Sequence, residues 1–254
     1  MAAVPRQPAT ISLGLPAIDV ARKLSYRLNA LHRALIFDFD GVLADSEVLS
    51  NSVIADVVSE LGVPTTIDDA YRTFMGKRLA EVIETIERMI GRKLPDDFAD
   101  AYQERTFDAF RARLKPIEGA REFVEAWRDV PRCIASSSSP ERLALSLEVL
   151  DMAALFEGGV FSASNVARGK PHPDIFLHAA EKLGIEPADC IVIEDSLSGV
   201  IAARAAGAFV IGFTAAGHIQ PGHDARLREA GADHAVASFA ELDRIVRPLL
   251  LRPA

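Results

Sequence analysis

"ALIFDFDGVLADSE", residues 34–47, runs from a block of apolar side chains straight into three carboxylates, Asp38, Asp40 and Asp45. A short apolar run that ends in a glycine-containing loop suits a strand buried on both faces. Carboxylates at the end of such a strand repel one another and resist leaving water without compensation. Two readings follow: an Asp-rich surface turn at Gly41, or a rim assembled around a cation.

The rest of the chain decides between them. Similar runs recur as "RCIAS" (132–136), "GGVFSA" (158–163), "CIVIED" (190–195), "AFVIGF" (208–213) and "DHAVAS" (233–238). Helical patterns alternate with them. "ERLALSLEVL" places Leu143, Leu147 and Leu150 on one face. "PDIFLHAAEKLG" spaces Ile175, Phe176, Ala179, Ala180 and Leu183 as a helix, with Gly184 as its stop. Strand–helix alternation with doubly buried strands predicts an α/β fold: a Rossmann-like parallel sheet core flanked by helices.

Residues 47–115 break the rhythm. They contain no convincing strand. They do contain amphipathic helices, one through Val53, Ile54, Val57, Val58 and Leu61 closed by Gly62. A second runs from Leu79 to Ile90 and is closed by Gly91; a third spans about Pro95 to Leu114. The expected organisation is therefore a core domain at 33–46 and 116–254 with an inserted all-helical domain at 47–115. Residues 1–32 carry Pro5, Pro8 and Pro16, lack the apolar core of a signal peptide, and read as a partly disordered extension.

Composition narrows the function classes. The net charge is −8, with no long block of like charge, which argues against nucleic acid or an anionic membrane as partner. No apolar run approaches the roughly 20 residues of a membrane span. The only cysteines, Cys133 and Cys190, each open a core strand. A structural disulfide is not expected, which fits a reducing cytoplasm.

Functional groups in open α/β sheets gather beyond the carboxyl ends of the strands. By that rule the first strand delivers Asp38 and Asp40, the second Ser136 within "SSSSP", and the fourth Glu194 and Asp195. The segment after the third strand, "GKPHPD", delivers Lys170. Lys170 offsets only one of those carboxylates, so a divalent cation is the natural partner. Carboxylates without a matching His/Cys set favour Mg2+ over Zn2+. A cation, a lysine and a hydroxyl at a helix start make a receptor for a phosphoryl group.

"DFDGVLADS", "IASSS", "GKPHPD" and "IEDSLSG" resemble the four signature motifs of the haloacid dehalogenase-like hydrolase superfamily, in the family's order. The helical insertion resembles the C1-type cap of its subfamily IA, the branch of β-phosphoglucomutase, phosphoglycolate phosphatase and sugar-phosphate phosphatases. The resemblance implies a Mg2+-dependent phosphatase for a small phosphorylated metabolite, a sugar or sugar-acid phosphate such as 6-phosphogluconate. It implies that Asp38 is the nucleophile and becomes an aspartyl-phosphate, while Asp40 is the acid and then the base. Ser136 would hydrogen-bond the phosphoryl group and Lys170 would hold it against Asp38. Asp38, Asp195 and the backbone carbonyl of Asp40 would ligate Mg2+, with Glu194 bound directly or through water. Substrate binding would fall to Ser137 and to Gly76, Lys77 and Arg78, which open a cap helix. The branch is often monomeric.

Three further expectations attach to single residues. Asp45 reads as a loop brace. His218 and His223 in "AGHIQPGH" lie near the rim at a spacing that matches no standard metal pair. The related phosphosugar mutases carry a histidine in the first cap helix, where this chain has Ser50 in "EVLSNS"; this weakens a mutase as the alternative. A non-catalytic ligand- or partner-binding relative is the alternative of another class.

Overall fold

Ala34–Phe37 is fully buried and forms β1, the strand about which the sheet is organised. The computed structural model of the chain describes residues 34–75 and 79–250. The expectations for residues 1–32 and for Gly76, Lys77 and Arg78 lie outside the described residues. β2 (Arg132–Ser136), β3 (Val160–Ser162), β4 (Cys190–Glu194), β5 (Phe209–Phe213) and β6 (His234–Val236) complete a six-stranded sheet in the order β3-β2-β1-β4-β5-β6. Every pairing is parallel.

Strand periodicity sorts the core into two layers. Leu35, Phe37, Ile134, Ile191 and Phe213 face one way. Against them pack α5 (Ala120–Ala126), α6 (Pro140–Val149) and α10 (Phe239–Leu250), through Phe123, Leu143, Leu147 and Leu242. Ala34, Ile36, Cys133, Cys190 and Val192 face the other way, against α7 (Asp174–Leu183) and α8 (Leu197–Ala205). Both cysteines are buried free thiols. A sixth core-side helix, α9 (His223–Glu229), lies between β5 and β6 and buries Leu227. Gly184 stops α7 in the left-handed conformation at φ 66°, as its position predicts.

The helical segment begins with α1 (Ser46–Glu60) and continues as α2 (Ile67–Phe74), α3 (Leu79–Ile90) and α4 (Phe98–Arg113). Its first three helices share a separate apolar cluster built from Ile54, Val58, Ala70, Phe74, Val82 and Ile86. α2 corrects the sequence reading, which recognised only three helices there. It has only two turns, shorter than the stretch over which a helical pattern is read from sequence, and buries Ala70 and Phe74. Its start was nonetheless written in the sequence as a capping box: the Asp69 N–H donates to Thr66 Oγ1 at 3.1 Å, and the Thr66 N–H to Asp69 Oδ2 at 3.0 Å.

The chain enters and leaves this segment side by side. Ala44 bridges to Pro116, the Asp45 N–H donates to the Lys115 carbonyl at 3.0 Å, and the Ile117 N–H to the Leu43 carbonyl at 2.9 Å. Asp45 also accepts from the Gly217 N–H at 3.1 Å, tying the first crossing to the loop after β5. Among the described residues, no helix is long and apolar enough to cross a membrane.

Candidate active site

The strand order reverses between β1 and β4, which opens a crevice at the carboxyl edge of the sheet. Asp38 continues β1 by one residue, its N–H donating to the Ile193 carbonyl at 2.9 Å. β4 ends beside it in Glu194, with Asp195 the next residue. Ligand oxygens of Asp38, Glu194 and Asp195 lie within 4.8 Å of one another, and all three residues are buried.

Lys170 arrives from the segment before α7. Its ammonium lies 2.6 Å from Asp38 Oδ1 and 2.6 Å from Glu194 Oε1, with its side chain only 4% exposed. It also sits 5.1 Å from the centre of the Phe176 ring. The second oxygen of Glu194 accepts from the Ser196 N–H and hydroxyl, at 2.7 and 3.0 Å. Both oxygens of Glu194 are thus engaged. Lys170 takes one oxygen of Asp38, and His218 Nε2 lies 3.2 Å from one oxygen of Asp195. The other oxygens of Asp38 and Asp195 have no hydrogen-bond donor among the described residues.

Asp40 sits apart from this cluster and is held by different partners. The Ser138 hydroxyl donates to Oδ2 at 2.6 Å, the Arg142 guanidinium to Oδ1 at 2.8 Å, and the Ser46 hydroxyl also to Oδ1. Ser136, buried at the end of β2, accepts from the Ser138 N–H at 3.0 Å and reaches only 3.5 Å from Asp40. Ser137 is exposed on the same turn. Ser139 caps α6 by accepting from the Arg142 N–H, and Pro140 opens the helix.

The electrostatics divide the two aspartates. Burial raises Asp38 well above the ordinary carboxylate range; Lys170 opposes this, while Glu194, Asp195 and Asp40 add to it. Burial acts on Asp40 in the same direction, but Arg142 and the Ser138 and Ser46 hydrogen bonds outweigh it and hold Asp40 below its usual value. Burial, with the Glu194 charge adding and the His218 hydrogen bond opposing, lifts Asp195 to about 6. Burial alone would lower Lys170, but the charges of Asp38 and Glu194 raise it, so it stays a cation. Positive charge is still short at Asp38 and Asp195, and each offers an oxygen without a donor. That donor set fits a hard divalent cation.

The structure brings together Asp38, Asp40, Ser136, Lys170, Glu194 and Asp195, as the strand-end rule predicts. Sequence reasoning missed Arg142 and Ser138 on Asp40, and both histidines on Asp195. His223 Nε2 donates to the Asp195 backbone carbonyl at 2.6 Å, and Arg226 donates to its Nδ1 at 3.1 Å. Both histidines therefore touch Asp195 from outside the carboxylate cluster. One signal for Arg142 was available. It lies in the first turn of α6, where a cation opposes the helix dipole and calls for a carboxylate partner. Ser50, at the place of the mutase histidine, is buried with an unpartnered hydroxyl.

Gly199, near the start of α8, leaves room for Glu194: a Cβ built there would lie 1.6 Å from Glu194 Oε1. Gly199→Ala is expected to displace Glu194 from Lys170 and Ser196, lowering stability by about 1–3 kcal/mol. Urea unfolding checks this, and an unchanged unfolding midpoint would refute the steric account.

A profile of the haloacid dehalogenase-like hydrolases matches residues 32–207. The 6-phosphogluconate phosphatase of Escherichia coli is 30% identical over 189 residues, covering 74% of this chain and 85% of its own. The phosphorylated carbohydrates phosphatase of Thermotoga maritima is 36% identical over 177 residues, covering 68% and 81%. Among solved structures, a HAD family hydrolase from Deinococcus radiodurans with bound phosphate and sodium superposes with a TM-score of 0.75 at 36% identity. That match covers 89% of this chain and all of the other.

Proposed function

The chain belongs to the haloacid dehalogenase-like hydrolases and is a phosphoric monoester hydrolase, and from that premise we propose that it is a Mg2+-dependent phosphatase of a small phosphorylated sugar or sugar acid. The carrying observation is the Lys170 ammonium between Asp38 and Glu194 beside Asp195. It joins a nucleophile, a cation and a carboxylate set short of positive charge in one crevice.

In this reading an Asp38 carboxylate oxygen attacks phosphorus. Arg142 and two hydroxyls favour ionised Asp40, so Asp40 takes up a proton from solvent as the anionic substrate enters. The bond from phosphorus to the leaving oxygen breaks, and Asp40 delivers that proton to the leaving oxygen. Water then attacks the phosphorus of the aspartyl-phosphate as Asp40 takes a proton from it, which restores the Asp38 carboxylate and releases phosphate. Two displacements through a covalent intermediate replace one difficult hydrolysis. Lys170 stays bonded to Asp38 and faces the phosphoryl oxygens, and Ser136 donates its hydroxyl proton to one of them. Asp38, Asp195 and the Asp40 carbonyl would hold Mg2+, with Glu194, already committed to Lys170 and Ser196, acting through water. When bound, the metal supplies positive charge opposite the transferring group.

The helices between 46 and 113 act as a cap that closes over the crevice and excludes water. The paired crossings at Ala44 and Pro116 are the hinge on which it turns. The enzyme acts as a monomer in the cytoplasm.

The test is a screen of phosphorylated metabolites with Mg2+, reading released phosphate, with 6-phosphogluconate, hexose and hexitol phosphates and phosphoglycolate included. Chelation by EDTA is expected to lower the rate at least about 100-fold, and added Mg2+ to restore it. β-Glucose 1-phosphate is expected to yield free phosphate and not glucose 6-phosphate. Full turnover in EDTA would overturn the metal dependence.

A further inference from the structure

Arg142 lies outside the four motifs, yet it makes the charged contact to Asp40. We propose that Arg142 is the positioning residue for proton transfer by Asp40: it anchors Oδ1 and so leaves Oδ2 as the atom that carries the proton. This rests on the acid/base reading of Asp40 given above.

The guanidinium is fixed on several sides. It lies 2.8 Å from Asp40 Oδ1, 3.9 Å from Glu47 Oε1 in the first turn of α1, and 4.9 Å from the centre of the Phe110 ring in α4. Its side chain is 22% exposed. A helix start, a loop after β1 and two helices of the cap thus meet at one cation.

Proton accounting separates the two oxygens of Asp40. An arginine donates and never accepts, because it keeps its proton in proteins. Oδ1 accepts from both Arg142 and Ser46, and a proton placed there, even one turned towards Ser46, would remove the negative charge that the Arg142 cation pairs with. Oδ2 faces Ser138 at 2.6 Å and Ser136 at 3.5 Å. Hydroxyls both donate and accept, so they tolerate Oδ2 with or without a proton. The proton given to the leaving oxygen departs from Oδ2, and the proton taken from water returns there. The balance closes over the two displacements with no further acid or base.

A group that acts through a proton donor is exposed by the leaving group. p-Nitrophenolate leaves without a proton; an alkoxide does not. With Arg142→Met, single-turnover cleavage of an alkyl ester such as glycerol 2-phosphate is expected to fall about 100-fold, the lower range for general acid catalysis. Single-turnover release of p-nitrophenol from p-nitrophenyl phosphate should stay within about threefold of wild type, with slow later turnovers and hence a burst. Arg142→Lys keeps a cation and is expected to recover much of the alkyl rate. Equal losses on both esters in both variants, or no loss on either, would overturn the proposal. Asp40→Asn serves as the reference: if it lacks the same split, the acid/base reading of Asp40 fails, independently of where Arg142 points.

Discussion

Asp38→Asn is expected to abolish turnover, by at least about 10⁴-fold in kcat, and to leave the fold at least as stable at neutral pH. The loss follows from chemistry. An amide oxygen is a far weaker nucleophile than a carboxylate and cannot form the aspartyl-phosphate. The stability half follows from charge. Burial and the Glu194, Asp195 and Asp40 carboxylates raise Asp38 against the pull of Lys170. A carboxyl whose pKa is higher folded than unfolded opposes folding once it ionises. That opposition is absent below the unfolded value, about 3.9, and grows as pH rises towards the raised folded value. The asparagine is neutral, nearly isosteric, and still offers an oxygen to Lys170. Urea unfolding at pH 7 and pH 4, without added metal, is expected to show the variant equal or ahead at pH 7 and the difference closing at pH 4. A variant purified free of host phosphatases that keeps wild-type turnover would remove Asp38 as the nucleophile.

The same two aspartates show what could be read from the sequence. Asp38 and Asp40 were legible because β1 is buried on both faces and ends where the apolar run ends. Glu194 and Asp195 were legible for the same reason on β4. Strand ends are local properties, and the parallel alternation then sends them to one edge. Partners were not legible. Ser138 and Arg142 reach Asp40 across 98 and 102 residues. The His223 contact to the Asp195 carbonyl spans 28 residues and depends on the path of the loop after β5. Motif spacing identifies which groups arrive at the rim, but their pairing is set by helix placement. Hence the carboxylates were found and the groups that tune them were not. The short helix Ile67–Phe74 failed for a different reason: its cap was visible, but at two turns it is shorter than the stretch over which helical periodicity is read.

Lys170→Met tests whether charge, and not shape, holds the crevice together. Lys170 is 4% exposed, Asp38 9% and Glu194 0% as side chains, so this is a buried triad. Removing one partner of a buried ion pair leaves uncompensated charge and destabilises by about 3–5 kcal/mol. Methionine keeps most of the stem that packs on Phe176, so loss of packing contributes little. Asp38, already raised by burial and by Glu194, then loses the cation that opposes that rise, and a proton taken up on Asp38 relieves its repulsion with Glu194. The destabilisation is therefore expected to be largest at pH 7 and to shrink towards pH 4.5, where protonation replaces the missing ammonium. Lys170→Arg is not expected to rescue: a planar fork cannot reproduce a point charge 2.6 Å from two separate oxygens. Turnover is expected to fall at least about 10³-fold, since the cation that faces the phosphoryl oxygens is gone. The check is a pair of urea titrations at the two pH values with phosphate release measured alongside. A stability loss of the same size at both would assign Lys170 to packing, and the charge account of the crevice would fail with it.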